Sequence, residues 1–212
     1  MHEDRVWYCD ASKVYREEDL FPREITTYEK RDYGYLFYDE ENKDSFDSNH
    51  AIVFKDKVSD LGQVLKDIIG FYTQKGMKPI IYQSVCDEGY FEVINSELEA
   101  YGFESWTEAQ RYMILAEENN IVPNPEVEVK KETQWNAKFG ADIFEKAGEP
   151  WEINVAKKAL QNKNTIFLVA YYKGQAAGMA HCHVANGICR GDYLLVATEH
   201  RNKGIGRAIM YY

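Results

Sequence analysis

The sequence predicts an α/β protein, in the α+β sense, made of two halves. Short apolar or alternating segments, typical of strands, interchange with longer segments whose apolar residues recur every three or four positions, as on one face of a helix. A polar stretch with Pro123 and Pro125 interrupts this pattern near the middle of the 212 residues. Because proline ends helices and removes a ladder donor, we place a linker at residues 119–125, between domains at 1–118 and 126–212.

The N-terminal half contains predicted strands at 33–38, 51–54, 80–82, 103–106 and 111–115, and helices at 61–75 and 91–101. Ser59 is a candidate cap for the first helix, and Gly76 ends it. The stretch up to about Arg31 has no clear pattern. The order of the elements is that of alternating strands and helices rather than of a sandwich or a bundle.

The C-terminal half has a simpler pattern. A strand at 127–129 precedes a helix from Trp135 to near Gly148 and a second helix that begins at Pro150. Three strands follow, at 165–173, 176–184 and 188–196. Asn186-Gly187 between the last two is a strong hairpin signal, so these strands are expected to be antiparallel.

The composition limits the partners. The chain has 25 Lys+Arg and 35 Asp+Glu, a formal net charge of −10. Sequence-independent nucleic-acid binding needs a basic face that displaces counterions, so we expect no nucleic-acid partner. An acidic protein suits an amine-bearing substrate, although acidic surfaces also serve solubility. No apolar run approaches the ~20 residues of a membrane span and the start is too polar for a signal peptide, so we expect a cytoplasmic protein without membrane contact.

The cysteines indicate a reducing compartment and no metal. They are Cys9, Cys86, Cys182 and Cys189, without a CxxC spacing. His181 and His183 flank Cys182, but alternate residues of a strand share a face, so Cys182 points away from both histidines. Two histidines without a third clear ligand do not make a metal site.

The segment after the last predicted strand carries the candidate chemistry. The strand ends at Val196 and a helix begins near Gly204. The first amides of a helix lack partners, and the helix dipole adds partial positive charge there. Glycines at 204 and 206 let an anion approach the backbone, so the pattern predicts a phosphate site. Three cations surround it: Arg201, Lys203 and Arg207.

Other phosphate loops fit less well. A Walker loop needs Gly-Lys-Ser/Thr, which does not follow Gly206, and the dinucleotide fingerprint needs a small residue where Ile209 stands. The alternative to a phosphate site is a helix start with basic residues whose glycines bind no anion.

The segment Arg201-x-x-Gly204-x-Gly206 resembles the [Arg/Gln]-x-x-Gly-x-[Gly/Ala] signature of the GNAT superfamily of N-acetyltransferases. The order of a strand, two helices and three antiparallel strands before it is similar to that superfamily over residues 126–212. The resemblance implies a GNAT-like mixed, mostly antiparallel sheet flanked by helices.

The resemblance also implies acetyl-CoA as the co-substrate. Backbone groups of the last strand would pair with the pantetheine arm, and amides of the following loop would hold the pyrophosphate. The implied residues are Leu194, Leu195, Val196, Arg201, Asn202, Lys203, Gly204, Ile205, Gly206 and Arg207. Asp192 is the most plausible general base, expected on the strand face of Val196 because it lies four residues upstream. The alternative is a solvent-facing aspartate.

The N-terminal half resembles the later part of a GNAT domain, with a helix, a short strand and a helix that ends in Tyr101-Gly102-Phe103-Glu104. Its loop at 55–60 has two aspartates and no glycine, which makes it a degenerate half without a phosphate cradle. The C-terminal half lacks the last strands of the superfamily. We expect the chain to be a piece of a longer tandem protein; the alternatives are one permuted domain, or a second copy that completes the sheet.

The function implied by the resemblance is enzymatic: an acetyl-CoA-dependent N-acetyltransferase that acts on a primary amine of a small molecule or peptide. One alternative is a non-catalytic, CoA-binding or regulatory GNAT-like module. Another is an interaction domain without a ligand.

Overall fold

The computed structural model describes residues 11–107 and 122–212. The chain forms two compact units, Met1–Ala116 and Glu117–Tyr212. Each has a four-stranded sheet with helices, so the predicted fold class is confirmed. The strand predicted at 111–115, residues 119–121 of the linker and Cys9 lie outside the described residues. None of the helices within 11–107 and 122–212 is long and apolar enough to cross a membrane.

The N-terminal unit has a mixed sheet of order β1-β2-β3-β4. Its elements are α1 (Ala11–Leu20), β1 (Thr27–Arg31), β2 (Gly34–Tyr38), β3 (Ala51–Val53), α2 (Leu61–Gln74), β4 (Ile81–Gln83), α3 (Tyr90–Val93) and α4 (Asn95–Ala100). The pairs β1–β2 and β2–β3 are antiparallel, whereas β4 lies parallel to β3 because α2 provides the crossover between them. Helix α2 packs its apolar stripe, including Ile68 and Tyr72, into the core.

Several predictions for this unit were wrong. Helix α1 and strand β1 were not predicted, since β1 reads Thr-Tyr-Glu-Lys-Arg, is mostly exposed and lacks an apolar face. Residues 103–106 form no strand. The cap of α2 is Asp60 rather than Ser59, because Asp60 Oδ1 accepts the Gln63 N–H at 3.0 Å.

The C-terminal unit has an antiparallel sheet of order β5-β6-β7-β8. Its elements are β5 (Val127–Glu132), α5 (Ala137–Phe139), a π-helical turn (Gly140–Phe144), α6 (Glu145–Ala147), α7 (Pro150–Gln161), β6 (Thr165–Tyr172), β7 (Gln175–Ala185), β8 (Ile188–Val196) and α8 (Ile205–Tyr211). The Asn186-Gly187 hairpin is confirmed, with both residues at the positive φ that a tight primed turn requires.

The C-terminal sheet is covered on both faces. The segment from α5 to α7 packs on one face, in a cluster that includes Phe144, Phe167 and Leu195. Helix α8 packs on the other face through Ile205 and Ile209. This second contact fixes the start of α8 directly beyond the end of β8, and so positions the loop between them.

Candidate functional site

The loop between β8 and α8 ends in a helix start that no side chain caps. A 3-10 turn at Thr198–His200 follows β8, and Gly204 is the N-cap residue of α8, with a left-handed φ of 77°. The Ala208 N–H donates to the Gly204 carbonyl at 2.9 Å, which closes the first helical turn. The amides of Ile205, Gly206 and Arg207 precede that bond and have no helical acceptor.

A cavity of about 550 Å³ lies against this loop. Its lining residues are Val196, His200, Arg201, Asn202, Gly204, Ile205, Gly206 and Arg207. Most of the residues that the signature implied therefore come together around one space. His200 was not predicted, and the only signal in the sequence was its position inside the loop.

Lys203 does not line the cavity, unlike its neighbours in the loop. Its Nζ donates to the Glu199 carbonyl at 2.8 Å and lies 5.2 Å from the ring centroid of Tyr172. The Lys203 carbonyl in turn accepts from Asn124 Nδ2 at 2.9 Å. These contacts make Lys203 a residue that holds the loop in shape.

Leu194 and Leu195 also lie outside the cavity lining. The Leu195 side chain is buried on the α5–α7 face, whereas Leu194 is exposed. Strand β8 is at the edge of the sheet within the described part of the chain, so its backbone has a side that no described strand covers. Pairing of this edge with a pantetheine arm stays a prediction.

The backbone conformation favours glycine at one of the two signature positions, Gly204, but not at the other, Gly206. Gly204 needs its left-handed φ, which a β-branched residue adopts only with strain. A Cβ at Gly206 would lie 3.5 Å from Leu194 Cδ2 and 3.9 Å from Val196 Cγ2, both ordinary contacts. The packing of the protein therefore gives no reason for a glycine at 206.

The loop is also anchored to the end of α6. The Thr198 hydroxyl donates to the Lys146 carbonyl at 2.8 Å, and Lys146 Nζ lies 2.6 Å from Glu199 Oε1. This ion pair raises the pKa of Lys146 and lowers the pKa of Glu199. The two contacts tie the start of the loop to the helical layer on the opposite face of the sheet from α8.

Asp192 lies on the other face of the sheet from the one predicted. A β-bulge interrupts the β7–β8 register, so that His181 opposes Tyr193 while Cys182 opposes Gly191. Asp192 is the extra residue, and such a bulge re-aims a side chain. Its carboxylate lies beside His181 on the α5–α7 face, whereas Val196 packs on the α8 face.

Asp192 has two charged or ionisable neighbours. Its Oδ1 is ion-paired with Arg190 Nη1, and its Oδ2 lies 3.5 Å from His181 Nδ1. Burial lowers the pKa of His181 despite the opposite effect of Asp192, so this histidine is neutral near pH 7. The ring of His181 stacks on those of Phe167 and Tyr193.

Glu152, in the first turn of α7, links that helix to β8. It accepts hydrogen bonds from the Glu149 backbone N–H and from the Tyr193 hydroxyl. Burial and the neighbouring carboxylate raise the pKa of Tyr193, which keeps its proton on the hydroxyl. The residue after Asp192 on β8 is thus Tyr193, whose hydroxyl is hydrogen-bonded to Glu152 of α7.

The described residues contain no group of three or more His, Cys, Asp or Glu side chains that could hold a metal ion. Cys182 and Cys189 are both free thiols, and burial together with the Cys189 thiol raises the pKa of Cys182 to about 11.

The corresponding helix start in the N-terminal unit is occupied by the protein itself. The Asp60 carboxylate caps α2, and the Lys55 N–H donates to Asp87 Oδ2 at 2.8 Å. In this segment of the N-terminal unit, carboxylates of the protein accept hydrogen bonds from backbone amides. The start of α8 has no side-chain cap among the described residues and lies against a cavity instead.

Comparisons with known proteins agree with this geometry. Residues 163–212 match the model of the acetyltransferase (GNAT) domain. A GCN5-related N-acetyltransferase from Kribbella flavida is similar in fold, with a TM-score of 0.60 and 11% identity over 95% of this chain and 78% of that one. A functionally unknown conserved protein from Staphylococcus epidermidis has a TM-score of 0.57 and 15% identity, over 92% of this chain and 81% of that one. No curated protein sequence matches the chain.

The chain thus has a mixed α/β fold, and its C-terminal segment is similar to an acetyltransferase (GNAT) domain. The acetyltransferase (GNAT) domain that this C-terminal segment matches indicates acetyltransferase activity in general terms.

Proposed function

We propose that the chain is an acetyl-CoA-dependent N-acetyltransferase that acts on a primary amine of a small molecule or peptide. The observation that carries this proposal is Gly206, which the packing of the protein does not require. It lies in the first turn of α8 and lines a cavity together with Arg201 and Arg207. A ligand with phosphates that approaches the amides explains both the glycine and the cations.

The residues of the cavity fit the phosphates of acetyl-CoA. The amides from Asn202 to Arg207 would hold the pyrophosphate, and the uncovered edge of β8 would pair with the pantetheine arm. Bound there, acetyl-CoA supplies an acetyl thioester next to β8. The chemistry required of the protein is then to orient the amine, remove a proton from it and stabilise the developing oxyanion.

Acetyl transfer forms one bond and breaks another. The amine nitrogen attacks the thioester carbonyl, the C–N bond forms, and the C–S bond breaks as the CoA thiolate leaves and takes a proton. We assign the removal of the amine proton to Asp192, which lies on β8 upstream of the loop. Arg190 is ion-paired with one oxygen of its carboxylate, and His181 Nδ1 lies 3.5 Å from the other.

The acceptor is expected to be a free amine rather than a polyanion. The formal net charge of −10 favours approach of a cationic acceptor and disfavours nucleic acid. Four cysteines without a CxxC spacing suit a reducing compartment, so we propose a cytoplasmic setting, with no metal in the reaction.

We further propose that the N-terminal half is a degenerate GNAT-like domain, joined through a linker at 119–125 to the CoA-binding domain at 126–212. Its β3–α2–β4 crossover repeats the strand, loop and helix order of the C-terminal loop region. The Asp60 carboxylate caps α2, so this helix start repels a phosphate rather than receiving one.

A second candidate function is a non-catalytic, CoA-binding or regulatory module. The ion pair between Arg190 and Asp192 favours it, because Arg190 already engages one oxygen of the carboxylate that would have to reach the amine. The two functions share the CoA site and differ only in turnover.

The test is an acetylation assay with the full chain, acetyl-CoA and a panel of amines that includes polyamines, amino acids, aminoglycosides and peptides. Released CoA is detected with a thiol reagent, and a control without amine corrects for the exposed thiols of Cys86 and Cys189. Amine-dependent CoA release supports the enzyme. Tight CoA binding without turnover across the panel supports the binding module instead.

A further inference from the structure

His200 is a buried histidine whose ring nitrogens are not hydrogen-bonded. Its residue is 7% exposed, and within the described part of the chain neither Nδ1 nor Nε2 has a hydrogen-bond partner. Buried polar atoms are nearly always paired, because an unpaired one loses its hydration without compensation. An imidazole with two such atoms therefore calls for a specific explanation.

Two other buried histidines of the protein have polar neighbours. His50 Nδ1 lies 3.3 Å from the Phe46 carbonyl, and His181 Nδ1 lies 3.5 Å from Asp192 Oδ2. His200 instead has a ring neighbour, Tyr172, at 5.8 Å between centroids. Packing on an aromatic ring would be served equally well by Phe, so the packing of His200 does not explain its nitrogens.

The position of His200 indicates which chemical group its ring nitrogens would bind. It belongs to the 3-10 turn that directly precedes Arg201, and it lines the same cavity as Gly204 and Gly206. Phosphate oxygens are strong acceptors, and a neutral imidazole always carries one N–H donor. A phosphate in this cavity is the nearest chemistry that matches the unpaired donor.

We propose that His200 is a ligand-binding residue whose ring N–H donates a hydrogen bond to a phosphate oxygen of CoA. This inference rests on the proposed function, because it takes the cavity to be the CoA site. An unpaired imidazole costs free energy, and a hydrogen bond to a phosphate oxygen would remove that cost. His200 thus adds side-chain recognition to a site otherwise made of backbone amides and arginines.

The test compares three variants of the full chain by calorimetric titration with acetyl-CoA and by thermal melting without ligand. His200→Phe keeps the ring packed against Tyr172 and removes both nitrogens. His200→Gln keeps an N–H donor, and His50→Phe is a matched control at a buried histidine outside the cavity. We expect His200→Phe to bind at least about tenfold more weakly, the size of a lost hydrogen bond to a charged group. His200→Gln should retain most of the affinity, and His50→Phe all of it.

Melting without ligand distinguishes this role from a structural one. His200→Phe should melt at or above the wild-type temperature, since it removes two unpaired polar atoms from the interior. A large fall in melting temperature together with unchanged affinity would overturn the proposal, as would equal binding of acetyl-CoA by His200→Phe and the wild-type chain. Failure of the folded wild-type chain to bind acetyl-CoA would overturn the proposed function as well. If His200→Phe does not fold, equal affinity of His200→Leu and wild type serves as the contrary result.

Titration with 3′-dephospho-CoA identifies the phosphate. If the affinity ratio of wild type to His200→Phe is the same for this ligand, the hydrogen bond goes to the pyrophosphate. If the ratio falls to about one, it goes to the 3′-phosphate. Either result supports His200 as a phosphate donor.

Discussion

Asp192 and His181 face each other on one side of the C-terminal sheet, with 3.5 Å between Oδ2 and Nδ1. Strand alternation alone would put Asp192 on the side of Val196, and the bulge in β8 reverses this. Asp192, the candidate base, therefore lies on the side of the α5–α7 layer, where the Tyr193 hydroxyl donates to Glu152.

Asp192→Asn tests the candidate base. With an acceptor identified by the amine panel, we expect kcat to fall by roughly a hundredfold or more, the usual contribution of a general base. The Kd for acetyl-CoA should stay within about twofold, because Asp192 is not part of the cavity lining. Glu128→Gln, at an exposed acid paired with Lys130 on β5, is the control and should leave kcat unchanged. An unaltered kcat in Asp192→Asn would remove this residue from the mechanism.

The same variant has a readout that needs no acceptor. The negative charge of Asp192 raises the pKa of His181 against the larger effect of burial. Removing that charge should lower the pKa of His181 further, which titration of the imidazole by NMR measures. A pKa that rises or stays constant would contradict the placement of the two side chains.

Gly206→Val tests the phosphate cradle. We expect affinity for acetyl-CoA to fall by at least about tenfold, because a branched side chain at the helix start takes the space of the phosphate. A Cβ at this position makes only ordinary contacts, and a thermal melt without ligand checks that the valine variant is folded. Gly204→Val should weaken binding as well, but with a loss of stability of roughly 1–2 kcal/mol from its left-handed φ.

Gly70→Val is the control for the glycine variants. Gly70 lies in α2, and a Cβ there meets no atom within 4 Å. Its affinity for acetyl-CoA should equal that of wild type. Arg201→Ala should have a smaller effect than Gly206→Val if backbone amides provide most of the binding. If a folded Gly206→Val chain binds acetyl-CoA with wild-type affinity, the cavity at this loop is not the CoA site.

Glu152→Ala tests the junction of α7 and β8. The carboxylate both closes the capping box of α7 and accepts the Tyr193 hydroxyl, so we expect a loss of about 1–2 kcal/mol in the free energy of unfolding. Tyr193→Phe leaves the capping box intact and should cost less. Glu145→Ala, at an exposed acid of α6, should stay within about 0.5 kcal/mol of wild type. Urea denaturation measures all three, and equal stability of Glu152→Ala and Glu145→Ala would be the contrary outcome.

The N-terminal unit is expected to lose stability in mild acid because of His50. Burial lowers the pKa of His50 from 6.5 to about 4, and the ring stacks on Tyr82 with 4.2 Å between centroids. A histidine kept neutral by the fold binds its proton more readily when unfolded. Its contribution is therefore full above pH 6.5 and declines as the pH falls towards 4.

The measurement compares wild type with His50→Phe, which keeps the stacked ring and does not titrate. Between pH 7.5 and 5 the free energy of unfolding of wild type should fall by about 2 kcal/mol more than that of His50→Phe. Equal pH dependence of the two proteins would show that His50 is not held in its neutral form.

The sequence was most informative where local chemistry determines structure. The Asn186-Gly187 turn, the strand at 188–196 and the helix start at Gly204 depend on glycine and on apolar alternation, and all three are present. Strand β1 escaped prediction because an exposed edge strand needs no apolar face. Its pairing with β2 is a tertiary contact that no local pattern encodes.

The candidate site shows the same division. Seven of the ten residues implied by the signature line the cavity, because one continuous loop carries them. The side of the sheet on which Asp192 lies depends on a bulge. A bulge is a mismatch in residue number between two paired strands, so the sequence of either strand alone does not reveal it. The isolation of the His200 nitrogens likewise depends on what surrounds them in three dimensions.

The most direct test of the central claim is calorimetric titration of the purified 212-residue chain with acetyl-CoA, together with a thermal melt. We predict saturable binding at one site, and about 2.7 kcal/mol of stabilisation at a hundredfold excess of ligand over the Kd. A folded chain that shows neither heat of binding nor a shift in melting temperature would contradict the assignment of this loop to CoA.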